Sequence, residues 1–318
     1  MKTQIQLYNF EPGTSNLYQE VLAGLRKPVK EIPTVLVYDE YGSECYDKLC
    51  EAEDYYPTRT ELSIMQNHIW EMVALIGEEA LLVEYGSGSS FKTRLLLDHL
   101  PHLAGYIPID ISKDHLLQAA TETARRYPHI EILPVCADYK QSFTLPSPTK
   151  PATHRVAYFS GSTIGLLRPH EAVTFLKQVR EMCGPDGGFL IAVDLKKDIE
   201  ILHRAYNDSE GVGPAGILNA LTHTNRKFNT NFNLNDFEYL GHYNEMLGCI
   251  EMGVVSRKKQ MVNFNGELIS LDASEKIHIM HSYKYSLNEF AELVARGGWQ
   301  VKQVWTDENE WFSVQYLI

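Results

Sequence analysis

Glu84, Gly86, Ser87 and Gly88 stand together in the stretch VEYGSGSSFKTRLLL, between an apolar approach and an amphipathic segment. Glycine tolerates the left-handed backbone of a sharp strand-to-helix turn, and the bare N–H groups of such a turn can meet a ligand. Two more acids follow in comparable places: Asp110 ends the run LAGYIPID, and Asp138 ends IEILPVCAD. Acids at the ends of successive strands suit the hydroxyls of a ribose and the edge of a base. A dinucleotide site would read G-x-G-x-x-G, but Phe91 occupies the place of the third glycine, and no G-K-[ST] of a phosphate loop is present. Phe91 thus disfavours an oxidoreductase on this turn. An acid directly before the turn would repel phosphate and suit a cation. S-Adenosylmethionine, with a sulfonium, an ammonium and no phosphate, fits that pattern. The plainer reading, in which Asp110 and Asp138 merely cap helices, stands beside it.

These residues need a sheet to carry them. From about residue 61, apolar runs alternate with amphipathic stretches, the pattern of an open parallel sheet flanked by helices. EALLVEYG, LAGYIPIDIS, IEILPVCADY, HRVAYFSGSTIG and GFLIAVDL read as strands. FKTRLLLDHL, KDHLLQAATETARRY and PHEAVTFLKQVREMC read as the helices between them, the last with proline at its start. After Asp194 the rhythm breaks. Residues 196–250 are rich in Asn, His, Tyr and Phe, and NRKFNTNFNLNDF has little periodicity, as in an insertion with irregular packing. SLNEFAELVARGGW then returns to a helical period, with Ser286 and Glu289 in capping-box spacing. QVKQVWTD and WFSVQYLI close the chain as an expected antiparallel pair. The predicted class is α/β: a doubly wound sheet with a terminal antiparallel strand over 61–195 and 286–318, and a discontinuous α+β domain from 1–60 and 196–285.

Composition narrows the partners. The chain has 318 residues, 44% of them hydrophobic and 22% charged, with a formal net charge of -12. That balance argues against a nucleic-acid groove or an anionic membrane surface. The start, MKTQIQLYNFEPGTSN, lacks the apolar core of a signal peptide, and no apolar run approaches ~18 residues. Five scattered cysteines without a C-x-x-C pair read as a reduced, cytoplasmic protein. A monomer acting on a small molecule is the expectation. His278 and His281 in HIMH are a conceivable metal pair, but no third ligand is evident, so no metal is predicted. Cys45 and Cys50 read as buried thiols, and GSTIG lacks the G-x-S-x-G elbow of a hydrolase.

The stretches EYGSGSSFKTRLLL, DYYPTRTE, FSGSTIG, RAYND and SYKY together resemble the histidine Nα-methyltransferases of the ergothioneine pathway, whose relatives include fungal methyltransferases of tryptophan derivatives. The resemblance runs from VLVYDEYGSE to the final strands. It implies a Rossmann-like methyltransferase core that binds S-adenosylmethionine, with a substrate-binding domain made from the amino-terminal segment and the insertion. It also implies a cofactor site that includes Gly86, Lys92, Asp110, Asp138 and Tyr139, to which the turn adds Glu84, Ser87 and Gly88. The acceptor pocket would take Tyr38, Tyr55, Tyr206, Met252 and Ser282. Two positions depart from the family. An asparagine is expected straight after GSTIG, where this chain has Leu166. A glutamate facing imidazole is expected two residues before the serine of SYKY, where this chain has Met280. The turn GVGPAGILN also lacks the aromatic residue and asparagine expected there.

Methyl transfer from a sulfonium is a direct displacement, in which a protein chiefly aligns donor and lone pair. An α-amine must first lose its proton, and burial assists that loss. Phenol oxygens accept from an ammonium without trapping it by strong negative charge. Tyr38, Tyr55 and Tyr206 are therefore expected to orient the acceptor. The expected function is S-adenosylmethionine-dependent N-methylation of the amino group of a small amino acid or amine: histidine, or another aromatic or modified amino acid. Leu166 and Met280 each remove a polar anchor and point to a less polar acceptor. Ser282, His281 and ordered water would restore those contacts if histidine is the substrate. The alternative is a catalytically silent relative that binds the cofactor as a sensor or scaffold, a reading motivated by Leu166.

Overall fold

The apolar runs become the centre of an eight-stranded sheet in a computed structural model that describes residues 5–10, 14–141 and 143–318. Its order is Tyr8–Phe10, Val135–Ala137, Gly105–Asp110, Ala80–Tyr85, His154–Phe159, Gly188–Asp194, Phe312–Leu317 and Val301–Thr306. Every neighbouring pair is parallel except those of Phe312–Leu317, which runs antiparallel on both sides. Ala80–Tyr85 and Gly188–Asp194 are buried at every residue, as parallel strands covered on both faces must be. Strand order turns back between Ala80–Tyr85 and His154–Phe159, so the carboxyl ends of these two strands frame the crevice where open sheets bind ligands.

Local chemistry sets the flanking helices. Lys113–Arg126 buries Leu116, Ala119, Ala120, Thr123 and Ala124, a stripe three to four residues apart. Pro169–Cys183 starts on proline and stops at Gly184, whose φ is +77°. Leu287–Arg296 opens with a reciprocal cap: Glu289 N donates to Ser286 Oγ at 3.2 Å, and Ser286 N to Glu289 Oε2 at 2.7 Å. On one face of the sheet, Met65, Ile69, Met72 and Ile76 pack with Leu82, Tyr106, Val156, Tyr158 and Leu190.

The chain divides into two compact units. The first holds the large sheet and consists of Tyr8–Phe10 with Pro57–Lys196 and Tyr283–Ile318. The amino end thus departs from the expected boundary. Tyr8–Phe10 pairs with Val135–Ala137 and completes the sheet edge, instead of joining the insertion. Residues 1–4 and 11–13 of the amino-terminal stretch read for a leader lie outside the described residues. Among the described residues no helix is long and apolar enough to cross a membrane.

The second unit runs from the helix Thr14–Leu25 to Tyr56, and then over Lys197–Ser282. Its sheet has the order Lys30–Glu31, Lys276–Tyr283, Cys249–Ser256, Phe237–Asn244. A hairpin, Gln260–Phe264 with Glu267–Leu271, turns on Asn265 and Gly266, both at positive φ. The stretch NRKFNTNFNLNDF, expected to pack irregularly, is regular chiefly at its two ends. Its first four residues finish the helix Val212–Phe228, and its end enters the strand Phe237–Asn244. Its polar residues serve the connection: the Asn225 amide donates to Phe232 O at 2.7 Å and accepts from Phe232 N at 2.8 Å.

Candidate functional site

The glycine turn begins where Ala80–Tyr85 ends. Gly86 and Gly88 take φ of +66° and +49°, and Ser90 is left-handed at +54°. Gly86 N and Ser87 N donate to Ile109 O at 2.8 and 3.1 Å, fixing the turn to the next strand. A Cβ on Gly88 would meet nothing within 4 Å, so the backbone there faces open space. The Ser87 hydroxyl is buried and has no hydrogen-bond partner among the described residues. Such an orphan carries a desolvation cost of about 1–3 kcal/mol unless a ligand or water meets it.

Asp110 stands at the end of the adjacent strand. Its two oxygens accept from Gly88 N and Ser112 N, each at 2.9 Å, so one carboxylate spans both turns. Burial pushes this carboxyl above its ordinary range, although both N–H donors pull it down. Asp138, half-buried, accepts from Lys140 N at 2.9 Å, as the plainer capping reading expects. Tyr139 meets Phe159 and Phe175 edge-on, with ring centroids 5.5 and 5.6 Å apart.

Glu84 is buried beneath the turn. Thr93 Oγ1 donates to its Oε2 at 2.6 Å, and Tyr106 OH donates to the same oxygen. Burial raises this carboxyl to about 8, so it holds its proton at neutral pH and braces the turn from beneath. The buried ionic contact lies elsewhere. Lys92 Nζ donates to Glu61 Oε2 at 2.6 Å, and Gly161 N to the same oxygen at 3.0 Å. Glu61 thereby ties the helix Tyr56–Ile76, the helix Phe91–Leu97 and the GSTIG loop together. A second buried pair sits at the next strand end, where Lys284 Nζ meets Asp194 Oδ2 at 2.5 Å. Asp194 N in turn donates to Ser162 Oγ at 2.9 Å. Glu61, Asp194 and Lys284 were absent from the expected site. Glu61 and Lys284 lie inside DYYPTRTE and SYKY, and Asp194 ends an apolar run as Glu84 and Asp110 do. That last signal was readable.

The GSTIG loop is close-packed. A Cβ on Gly165 would lie 2.8 Å from Tyr283 O, so only glycine fits there. Leu166 follows in the short turn Thr163–Leu166 and is half-buried.

In the second unit the structure brings Tyr55, Tyr206 and Ser282 together. The tyrosine rings meet edge-on at 6.0 Å, and Tyr206 OH lies 2.7 Å from Ser282 Oγ. Ser209 N and Oγ both donate to Asp54 Oδ2, at 2.9 and 2.7 Å, which pins the segments before Tyr55 and after Tyr206. Tyr239 OH donates to Tyr206 O at 2.7 Å. Asp208 of RAYND caps the helix that follows, accepting from Val212 N and Gly213 N at 2.8 Å each. Met252 and Met280, each 6% exposed, lie on adjacent strands, Cys249–Ser256 and Lys276–Tyr283. Tyr38 caps the short turn Thr34–Val37.

Comparison with known proteins identifies the family of the chain. A family model described as histidine-specific methyltransferase, SAM-dependent, matches residues 17–318. The chain is 34% identical to the histidine N-alpha-methyltransferase of Mycolicibacterium smegmatis, over 95% of this chain and 94% of that protein. It is 28% identical to a 4-dimethylallyltryptophan N-methyltransferase of Epichloe festucae var. lolii, over 96% and 94% of the two chains. An S-adenosylmethionine-dependent methyltransferase from Clostridium acetobutylicum superposes with a TM-score of 0.50 at 11% identity, covering 86% of this chain and 98% of that one. That likeness shows the Rossmann-like fold. The chain belongs to the S-adenosylmethionine-dependent, histidine-specific methyltransferase family and is an amino-acid N-methyltransferase.

Proposed function

We propose that the first unit holds the cofactor on the glycine turn, and that the acceptor is an aromatic α-amino acid less polar than histidine. The residues of the turn fit S-adenosylmethionine. The Ser87 hydroxyl lacks a partner among the described residues, the side of Gly88 is open, and Asp110 stands at the strand end suited to a ribose. When bound, this cofactor supplies a sulfonium methyl group to an amine. Lys92 enters the proposal only as the partner of Glu61, and Glu84 only as a brace. Asp138 and Tyr139 complete the edge, where the half-buried ring of Tyr139, backed by the buried Phe159 and Phe175, offers an apolar wall to a base.

On the acceptor side, the Tyr206 hydroxyl, set by Ser282, accepts a hydrogen bond from the ammonium and then directs the amine lone pair. Tyr55 fixes the Tyr206 ring. The observation that carries the substrate reading is Met280, buried beside the strand of Met252. A carboxylate in that place would add a charge-assisted bond to imidazole worth about 1.5–3 kcal/mol; a thioether makes none. A thioether instead packs on an aromatic ring, for about 0.3–1.5 kcal/mol. Leu166 likewise offers no polar anchor. The GSTIG loop, the turn and the tyrosine pair are in place, and nothing in them favours a silent binder.

The experiment is competition among histidine, tryptophan, tyrosine and their amines at equal concentration with S-adenosylmethionine, read by mass spectrometry. Tryptophan or tyrosine should be methylated ahead of histidine, and Met280→Glu with Leu166→Asn should shift use toward histidine. Efficient methylation of histidine with the aromatic compounds ignored overturns this acceptor.

A further inference from the structure

Three imidazoles and one carboxylate converge on the four-stranded sheet. One ligand atom each from Glu251, His278 and His281 lies within 4.8 Å of the others. His278 Nε2 is 2.9 Å from His281 Nδ1, and His281 Nε2 is 3.9 Å from Glu251 Oε1. His242 pairs directly with Glu251 across the antiparallel register, and its Nε2 is 3.3 Å from Glu251 Oε2. Residues opposed in this way present their side chains on one face. His242 Nδ1 is buried and has no hydrogen-bond partner among the described residues. Asn244 Nδ2 donates to Glu251 Oε2 at 3.0 Å, the kind of outer contact that orients a ligating carboxylate.

We propose that Glu251, His278 and His281 form a binding site for a divalent transition-metal ion of the zinc type, with His242 as fourth ligand after rotation of its side chain. Metal–ligand bonds of about 2.0–2.1 Å in a tetrahedral site hold the ligand atoms roughly 3.3 Å apart. The three ligand atoms lie within 4.8 Å of one another, so side-chain movement that draws them together closes the site. Neutral imidazole with one carboxylate is a donor set for zinc, nickel or copper and not for calcium or magnesium. HIMH by itself offers no third ligand in the sequence. Folding supplies two, from strands 27 or more residues away, because cross-strand neighbours have no fixed spacing along the chain.

Successive strand residues point to opposite faces, so Glu251 lies on the other side of its strand from Met252. The ion staples three strands, Phe237–Asn244, Cys249–Ser256 and Lys276–Tyr283, and the last of these carries Met280 and Ser282.

The test is calorimetric titration of chelator-treated protein with Zn2+, together with thermal unfolding with and without the ion. Saturable binding of one equivalent and a raised unfolding midpoint are expected. His281→Gln should weaken Zn2+ affinity on the order of 10–100-fold or more and abolish the midpoint shift. His278→Gln, checked for folding by circular dichroism, repeats the measurement should the first variant misfold. Absence of saturable binding, or Zn2+ affinity unchanged in a folded variant, overturns the site.

Discussion

At the carboxyl edge of the large sheet nearly every polar group is spoken for. Glu61 holds Lys92 and Gly161 N, Asp194 holds Lys284, Asp110 holds two backbone N–H groups, and Glu84 is closed in by Thr93 and Tyr106. In the second unit the proposed acceptor residues are a hydroxyl pair, an edge-on ring contact and two buried thioethers. The difference separates stability from selectivity. Removing one partner of a charge pair buried in the core is strongly destabilising, whereas exchanging methionine for an apolar side chain of similar volume re-tunes the acceptor at modest cost. A family could keep the first region and vary the second.

The strongest way to break this contrast is Glu61→Gln, which leaves Lys92 buried without its carboxylate. Removing one member of a buried pair costs about 3–5 kcal/mol. Urea unfolding followed by circular dichroism should show that loss, and Glu61→Gln with Lys92→Met should recover part of it. A loss below about 1 kcal/mol would make the pair energetically idle and the contrast false.

A second effect comes from Glu84. Its carboxyl lies at about 8 in the folded protein against an ordinary 4.5, so the native state retains a proton that the unfolded chain releases. Stability from this group is complete below the ordinary value and is lost as pH rises through about 8, with a slope approaching about 1.4 kcal/mol per pH unit. Glu84→Gln should flatten that decline in unfolding experiments between pH 5 and 8. Superimposable profiles for the two proteins would assign the decline to another group.

Asp110→Ala sharpens the comparison further, because it strikes the turn itself. Calorimetry should show S-adenosylmethionine binding weakened by about 1–3 kcal/mol in a folded protein. Unchanged affinity would remove Asp110 from the cofactor site.

The smallest expected change is in Tyr206→Phe, which deletes the hydroxyl facing Ser282. A lost hydrogen bond of about 1–1.5 kcal/mol corresponds to roughly a tenfold fall in kcat/KM for the acceptor, with cofactor affinity held. Equal losses in both would mean that this tyrosine supports the fold and not the acceptor.

The sequence stated whatever depends on near neighbours. Gly86 and Gly88 announce the turn because a left-handed backbone is a property of the residue itself, and both take it. The cap of Leu287–Arg296 could be read from Ser286 and Glu289, three positions apart, and the parallel strands from their apolar runs. The polar stretch after residue 224 reads as irregular, and its connection is held by Asn225, which bonds the backbone of Phe232.

Only the tertiary structure decided what each acid holds. Glu84 and Glu61 are both glutamates within conspicuous motifs, yet one keeps a proton and the other carries Lys92. Burial and donor geometry, set by strands and helices distant in the chain, make that choice. The same holds for Asp194 with Lys284, 90 positions apart, and for Glu251 with His278 and His281. Residue type and local spacing specify a turn, a cap or a strand. Which charge is desolvated, and which side chains converge, depends on packing between segments whose separation in sequence carries no information about their separation in space.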